Sequence, residues 1–242
     1  MIRNYDNHPH SYEGRYLLYH PTDQGYATIG PSMQITGRTD GLNEMGLAMG
    51  YNFINRKKSK DGFMCNMIGR IILETCANID EAVSLLEEIP HRHSFSYVLI
   101  DKSGQSLVVE ASPRHIITRE ANICTNQFEK LTEENRHRMD DSLRRERSIM
   151  NKKDALKNSH EAFMMMNDTK KSIFSSNYGA WAGTLHTSSY HPDELKVGFS
   201  LGGDQRPLLI DFHKWIEGKN INIKQIKGQI DSPSSFVNMV EL

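Results

Sequence analysis

The sequence predicts a layered α+β fold. Three features carry that expectation: short strands separated by turn residues at the beginning, a pair of amphipathic helices in the first third, and hairpins after them. Gly14 to His20 and Tyr26 to Gly30 read as short strands around a turn from Pro21 to Gly25. Gln34 to Arg38 is a further short strand. Asp40 to Gly46 reads as a tight turn leading into Leu47 to Phe53. There Ala48 and Gly50 alternate with Leu47, Met49 and Tyr51, which suits a central strand with something packed closely on its small-residue face. From Phe63 to Cys76, the residues Met64, Met67, Ile68, Ile71 and Ile72 fall at helical spacing. Asn78-Ile79-Asp80-Glu81 opens a second helix as a capping box. Ala82, Val83, Leu85, Leu86 and Ile89 form its apolar face, and Pro90 ends it.

Ser94 to Asp101 and Gln105 to Ala111 form a β-hairpin through Lys102-Ser103-Gly104. Ile116 to Thr118 and Ile123 to Asn126 continue the sheet. Glu129 to Asn167 is polar and helical, with a charged stretch from Arg136 to Lys153. Ala182 to Tyr190 and Leu195 to Leu201 make another hairpin through His191-Pro192-Asp193-Glu194. The segment from Asn220 onward is polar and is expected on the surface. With no internal repeat and no low-complexity linker, residues 1–242 are expected to form one domain.

Composition narrows the function classes. A chain of 242 residues buries roughly 70–75% of its unfolded surface, enough for a sizeable core. Lys plus Arg is 29 and Asp plus Glu is 30, a formal net charge of −1, so no whole-body field favours nucleic acid or an anionic membrane. Eleven His make the charge sensitive to mild acid. Three Cys argue against a disulfide framework and suit a reducing cytosol. No apolar run approaches the ~20 residues that span a bilayer, and no signal-peptide pattern is visible. A cytoplasmic location is expected.

Five segments carry residue types that suit chemistry. They are Arg3-Asn4-Tyr5-Asp6; Asp40-Gly41-Leu42-Asn43-Glu44-Met45-Gly46-Leu47 with Gly50-Tyr51-Asn52-Phe53; Thr125-Asn126-Gln127-Phe128; Asp141-Ser142-Leu143-Arg144-Arg145; and Trp181 to Ser188. Each alone has a commoner structural reading: a surface Arg with a turn Asp, strand-end or turn asparagines, a charged helix face, a hairpin strand. In this order they resemble the choloylglycine hydrolase, penicillin V acylase and acyl-coenzyme A:6-aminopenicillanic acid acyltransferase family of N-terminal-nucleophile (Ntn) hydrolases. The fourteen-residue window from Asp40 to Phe53 is the strongest match. The likeness runs from Arg3 to about Asp211.

The resemblance implies an αββα four-layer sandwich missing its first strand or strands. It also implies catalytic roles for Arg3, Asp6, Asn52, Asn126 and Arg145. In this family an N-terminal cysteine is nucleophile and base at once, since its α-amine takes the proton of its own thiol. Arg3 would favour the thiolate and Asp6 would hold the amine. Residues three apart on a regular strand face opposite sides, so both reach one site only if the chain bends near Tyr5. Asn52 would help form the oxyanion hole, a donor worth ~3–4 kcal/mol when lost. Asn126 would contact the substrate amide and the nucleophile. Gln127 stands where acyltransferase-like members usually carry His. Either Arg144 or Arg145 would supply the late arginine, with Arg145 preferred. Trp181 to Ser188 supports the fold.

No cysteine stands at residue 1. The resemblance therefore implies a chain starting at an internal methionine, with the nucleophile upstream. Such a chain is expected to be poorly stable or to have its gap covered by a partner segment. The expected reaction is cleavage of a linear amide through an acyl-enzyme, on a small-molecule amide or acyl donor, and the chain by itself is expected to be inactive. A non-catalytic small-molecule-binding or scaffold protein on the same fold is the alternative. A homo-oligomer, or an upstream segment completing the sheet, is the expected protein partner. No cofactor is implied. His8-Pro9-His10 and His91-Arg92-His93 have no Cys or carboxylate set at ligand spacing, so no metal is expected. Cys65 and Cys76 read as small buried hydrophobes. Cys124 is rated structural, although alternation sends it to the face of Asn126.

Overall fold

A computed structural model of the chain describes residues 1–232 and 234, apart from residues 56, 57, 137, 180 and 181. Trp181, which opens the last matching segment, and the end of the polar tail lie outside the described residues. The order is β1 (Ile2–Asn7), β2 (Tyr16–Tyr19), β3 (Thr28–Met33), β4 (Gly37–Arg38), β5 (Asp40–Asn43), β6 (Ala48–Asn55), α1 (Cys65–Thr75), α2 (Ile79–Glu88), β7 (Ser94–Ile100), β8 (Ser106–Ala111), β9 (Ile116–Arg119), α3 (Asp140–Lys153), α4 (Ser159–Asn167), β10 (Gly183–His191), β11 (Lys196–Leu201), β12 (Leu208–Asp211) and α5 (Phe212–Ile216).

The strands form two antiparallel sheets. One runs β1-β10-β11-β12, and the other runs β2-β3-β5-β6-β7-β8-β9 with β4 beside β3. Helix α1 packs on β4, β5 and β6 and α2 on β8, whereas α4 packs on β1 and β10. The layers are therefore helix, sheet, sheet, helix. Tyr5, Leu185 and Phe199 of the smaller sheet share one apolar core with Tyr51, Tyr97 and Leu99 of the larger, and with Ile68, Ile72 and Leu86 of the helices. The apolar spacing of α1 and α2 is what lays them on the sheet.

Local chemistry explains where elements begin and bend. Asn78 caps α2 by accepting from the Glu81 backbone N–H at 3.0 Å, while the Glu81 carboxylate reaches back to the Ala77 N–H at 2.7 Å. Strand β1 pairs with β10, Tyr5 opposite His186 but Asp6 opposite Thr184. That register shift leaves Leu185 unmatched, a β-bulge that breaks strict alternation just where a bend is needed.

Several elements differ from the sequence expectation. Asp40 to Asn43 is strand rather than turn, pairing Asp40 with Gly50 and Leu42 with Ala48. The turn is confined to the residues after it. There Gly46 takes φ +83, and the Asn43 side chain accepts from the N–H groups of Met45 and Leu47 while donating to the Leu73 and Cys76 carbonyls. From Gln34 to Arg38 only Gly37–Arg38 is strand, because Gln34 and Ile35 turn the chain at φ 55 and 66. Ile123 to Asn126 is irregular loop, tied to β6 by side chains instead of a ladder. Strand β12 and helix α5 follow the last hairpin.

Candidate active site

The first half of β6 has room for a large cation. Alternation puts Gly50 and Asn52 on one face of the strand. A Cβ at Gly50 would lie 2.9 Å from Arg3 Cδ, so glycine is what makes room for the arginine stem. The buried Arg3 head donates to the Thr39 carbonyl at 2.7 Å and the Tyr51 carbonyl at 2.9 Å, and pairs with Asp40 at 3.2 Å. Its guanidinium carbon sits 5.6 Å from the Tyr5 ring centre and 5.9 Å from that of Tyr51.

A second cluster lies past the bulge. The Asp6 carboxylate accepts from Arg145 Nη1 and from Thr184 Oγ1, each at 2.6 Å. Arg145 Nη2 donates to Asn126 Oδ1 at 2.9 Å, and its Nε pairs with Asp141 at 3.0 Å, one helical turn earlier on α3. Asn126 in turn donates to the Phe53 carbonyl at 2.9 Å, while Asn52 donates to the Cys124 carbonyl at 3.1 Å. The two asparagines thus lock β6 and the 124–126 loop to each other reciprocally. Each spends one amide N–H on that lock, and the Asn52 side chain also lies in hydrogen-bond contact with the Cys124 thiol.

Arg3, Asp6, Asn52, Asn126 and Arg145 all line one cavity of about 910 Å³. Its apolar walls include Phe53, Met64, Phe95, Ile149 and Met165. Arg144 points elsewhere, to Asp141 and to the Ser172 carbonyl. Gln127 is turned to Glu146 at 2.8 Å. Cys65, expected as a small core residue, and Cys124 also line the cavity. Burial pushes the Cys65 thiol up to about 12 despite a hydrogen bond with Tyr51 and the nearby Arg3 charge. Burial likewise raises Cys124, against the pull of Arg119. Neither is a ready thiolate.

Sequence reasoning missed the partners that hold these groups, chiefly Asp40 and Thr184. Asp40 is fully buried. Burial alone would raise its carboxyl, but Arg3 and then His186 override that and hold it well below the usual carboxylate range. The signal was available: Asp40 heads the Asp40–Phe53 window, in a strand with no other charge until Glu44. Among the described residues, no group of three or more His, Cys, Asp or Glu is placed to hold a metal ion. No described helix is long and apolar enough to cross a membrane.

The family model for acyl-coenzyme A:6-aminopenicillanic acid acyl-transferase matches residues 1–206. No curated protein matches the chain in sequence. Several solved structures are similar in fold. Penicillin V acylase from Agrobacterium tumefaciens superposes with a TM-score of 0.60 at 18% identity, over 88% of this chain and 82% of that one. Variant R18L of conjugated bile acid hydrolase from Clostridium perfringens superposes with a TM-score of 0.56 at 16% identity, over 99% of this chain and 92% of that one. Both share the layered antiparallel architecture.

Proposed function

The chain belongs to the acyl-coenzyme A:6-aminopenicillanic acid acyl-transferase family, and on that premise we propose that its cavity transfers the acyl group of a linear amide through a thioester. A sulfur attacks the carbonyl carbon, the C–N bond breaks, and the amine leaves with the thiol's proton. Water or a second amine then takes the acyl group. Arg3 supplies the positive charge beside the sulfur. Asp6 holds the α-amine that serves as base. The amide groups of Asn52 and Asn126 stabilise the oxyanion. Arg145 orients Asp6 and Asn126 together.

The observation that carries this reading is the continuous relay from Asp6 through Arg145 to Asn126 and on to the Phe53 carbonyl. It brings one asparagine, a carboxylate and a cation to a cavity that Asn52 also lines. The attacking thiol is assigned to neither Cys65 nor Cys124, since burial keeps both protonated. Among the described residues, strand β1 pairs with β10 alone. We assign the thiol to an upstream segment with an N-terminal cysteine that pairs in extended form along the free edge of β1. The three free cysteines suit a reducing cytosol.

The test is hydrolysis of penicillin V. The chain by itself is expected to give none, and a cysteine-led segment joined ahead of Met1 is expected to confer it. Hydrolysis by the pure chain that Arg3→Ala abolishes would overturn the assignment of the thiol.

A further inference from the structure

We propose that Asp40 is the positioning residue of Arg3, and that β5 and β10 together aim the cavity cation through it. The inference rests on the proposed reaction only in naming Arg3 as the cation beside the sulfur. The hydrogen bonds that the guanidinium donates go to two backbone carbonyls, those of Thr39 and Tyr51. They fix direction but bring no countercharge. Asp40 brings it, at 3.2 Å and with no exposure to solvent. A buried cation stripped of the carboxylate paired with it is strongly disfavoured, so the guanidinium follows the carboxylate.

The carboxylate is itself pinned. It accepts from the Tyr190 hydroxyl at 2.7 Å and the Thr39 hydroxyl at 2.5 Å, and lies 3.4 Å from His186 Nε2. His186 is held on its other nitrogen by the Tyr12 hydroxyl at 2.9 Å and stacks on Tyr5 with ring centres 5.0 Å apart. Tyr190 and His186 both belong to β10, the neighbour of the strand that carries Arg3. The fully buried His186 and Asp40 therefore form a polar bridge between the sheets, with Arg3 at its cavity end. Gly50 removes the one side chain that would push the arginine stem aside.

Arginine side-chain nitrogen NMR tests the assignment, with Arg3 identified by its loss in Arg3→Lys. In the native protein the two Nη signals of Arg3 are expected to be separate, because rotation about the guanidinium is blocked. In Asp40→Asn they are expected to merge, while those of Arg119 stay as they were. Tyr190→Phe keeps the ring and removes one hydroxyl, and is expected to give the same change in smaller measure. It decides the matter if Asp40→Asn does not fold. Separate, unmoved Arg3 signals in a folded variant overturn the proposal. A second arm reads penicillin V hydrolysis by the protein with its cysteine-led segment. Asp40→Asn is expected to lower kcat about tenfold or more with KM little changed, as for a group acting in the transition state. Merged signals with no hydrolysis from any form leave the positioning role supported and sink the proposed reaction alone. Full hydrolysis with unmoved signals sinks the positioning role alone.

Discussion

Arg145 joins groups far apart in sequence. It bridges Asp6, 139 residues away, to Asn126, so one side chain ties the smaller sheet to the loop beside the larger one. Its site is largely enclosed, and charge-assisted hydrogen bonds of this kind are worth more than neutral ones. Arg145→Ala is expected to lower stability by about 2 kcal/mol, and Arg144→Ala by less than about 0.5 kcal/mol, in urea unfolding. Lysine at 145 should recover little, since a point charge cannot bridge two acceptors as a planar fork does. Equal losses from both arginines would contradict this. The sequence offered Arg144 or Arg145 with only a preference for Arg145, for a physical reason: adjacent positions on a charge-rich helix differ only in phase, and the deciding partner lies on β1. Gly50 was more legible, because small residues alternating with large ones announce a close neighbour, although not that the neighbour is Arg3.

The 123–131 loop was read partly as strand because Ile123, Cys124 and Thr125 have strand character. No ladder holds it. Glu110 does much of that work from β8, accepting backbone N–H groups from Glu129, Lys130 and Leu131 at 2.7 to 2.9 Å and pairing with Arg119 at 2.8 Å. A glutamate near the end of an apolar strand looks solvent-facing in sequence, yet Glu110 is fully buried. Glu110→Ala strands three amides and leaves Arg119 with Glu129 alone, so a loss of about 3–5 kcal/mol is expected. Hydrogen exchange at residues 129–131 should quicken before global unfolding. Unchanged exchange there would show that the loop is held by something else. The helices, by contrast, were legible because α1 and α2 carry their apolar faces and caps locally.

Across the whole molecule, a layered arrangement followed from the strands and the helix pair, and its four-layer order from the family resemblance. Strand β12 and α5 did not, because Leu208–Asp211 is too short and too exposed to show a pattern. Buried titratable groups give the fold a pH dependence with a definite sign. Burial lowers His91, so the unfolded chain binds the proton more readily and stability is lost as pH falls below about 6.5. Asp40, held low by Arg3 and His186 against its burial, adds stability above about pH 4 that is lost on further acidification. His191, also lowered by burial, adds to the first limb with the same sign. Urea midpoints measured against pH should fall in both windows, and His91→Gln should flatten the upper one. A midpoint rising toward acid would contradict the sign.

The most direct measurement is where the acyl group is held during turnover. The protein as it occurs in the cell is incubated with penicillin V and quenched in acid, and its peptides are weighed. A phenoxyacetyl thioester is expected on the leading cysteine of a segment paired with β1. A thioester on Cys65 or Cys124, or hydrolysis that never places the acyl group on sulfur, would contradict the arrangement proposed around Arg3, Asp6, Asn52, Asn126 and Arg145.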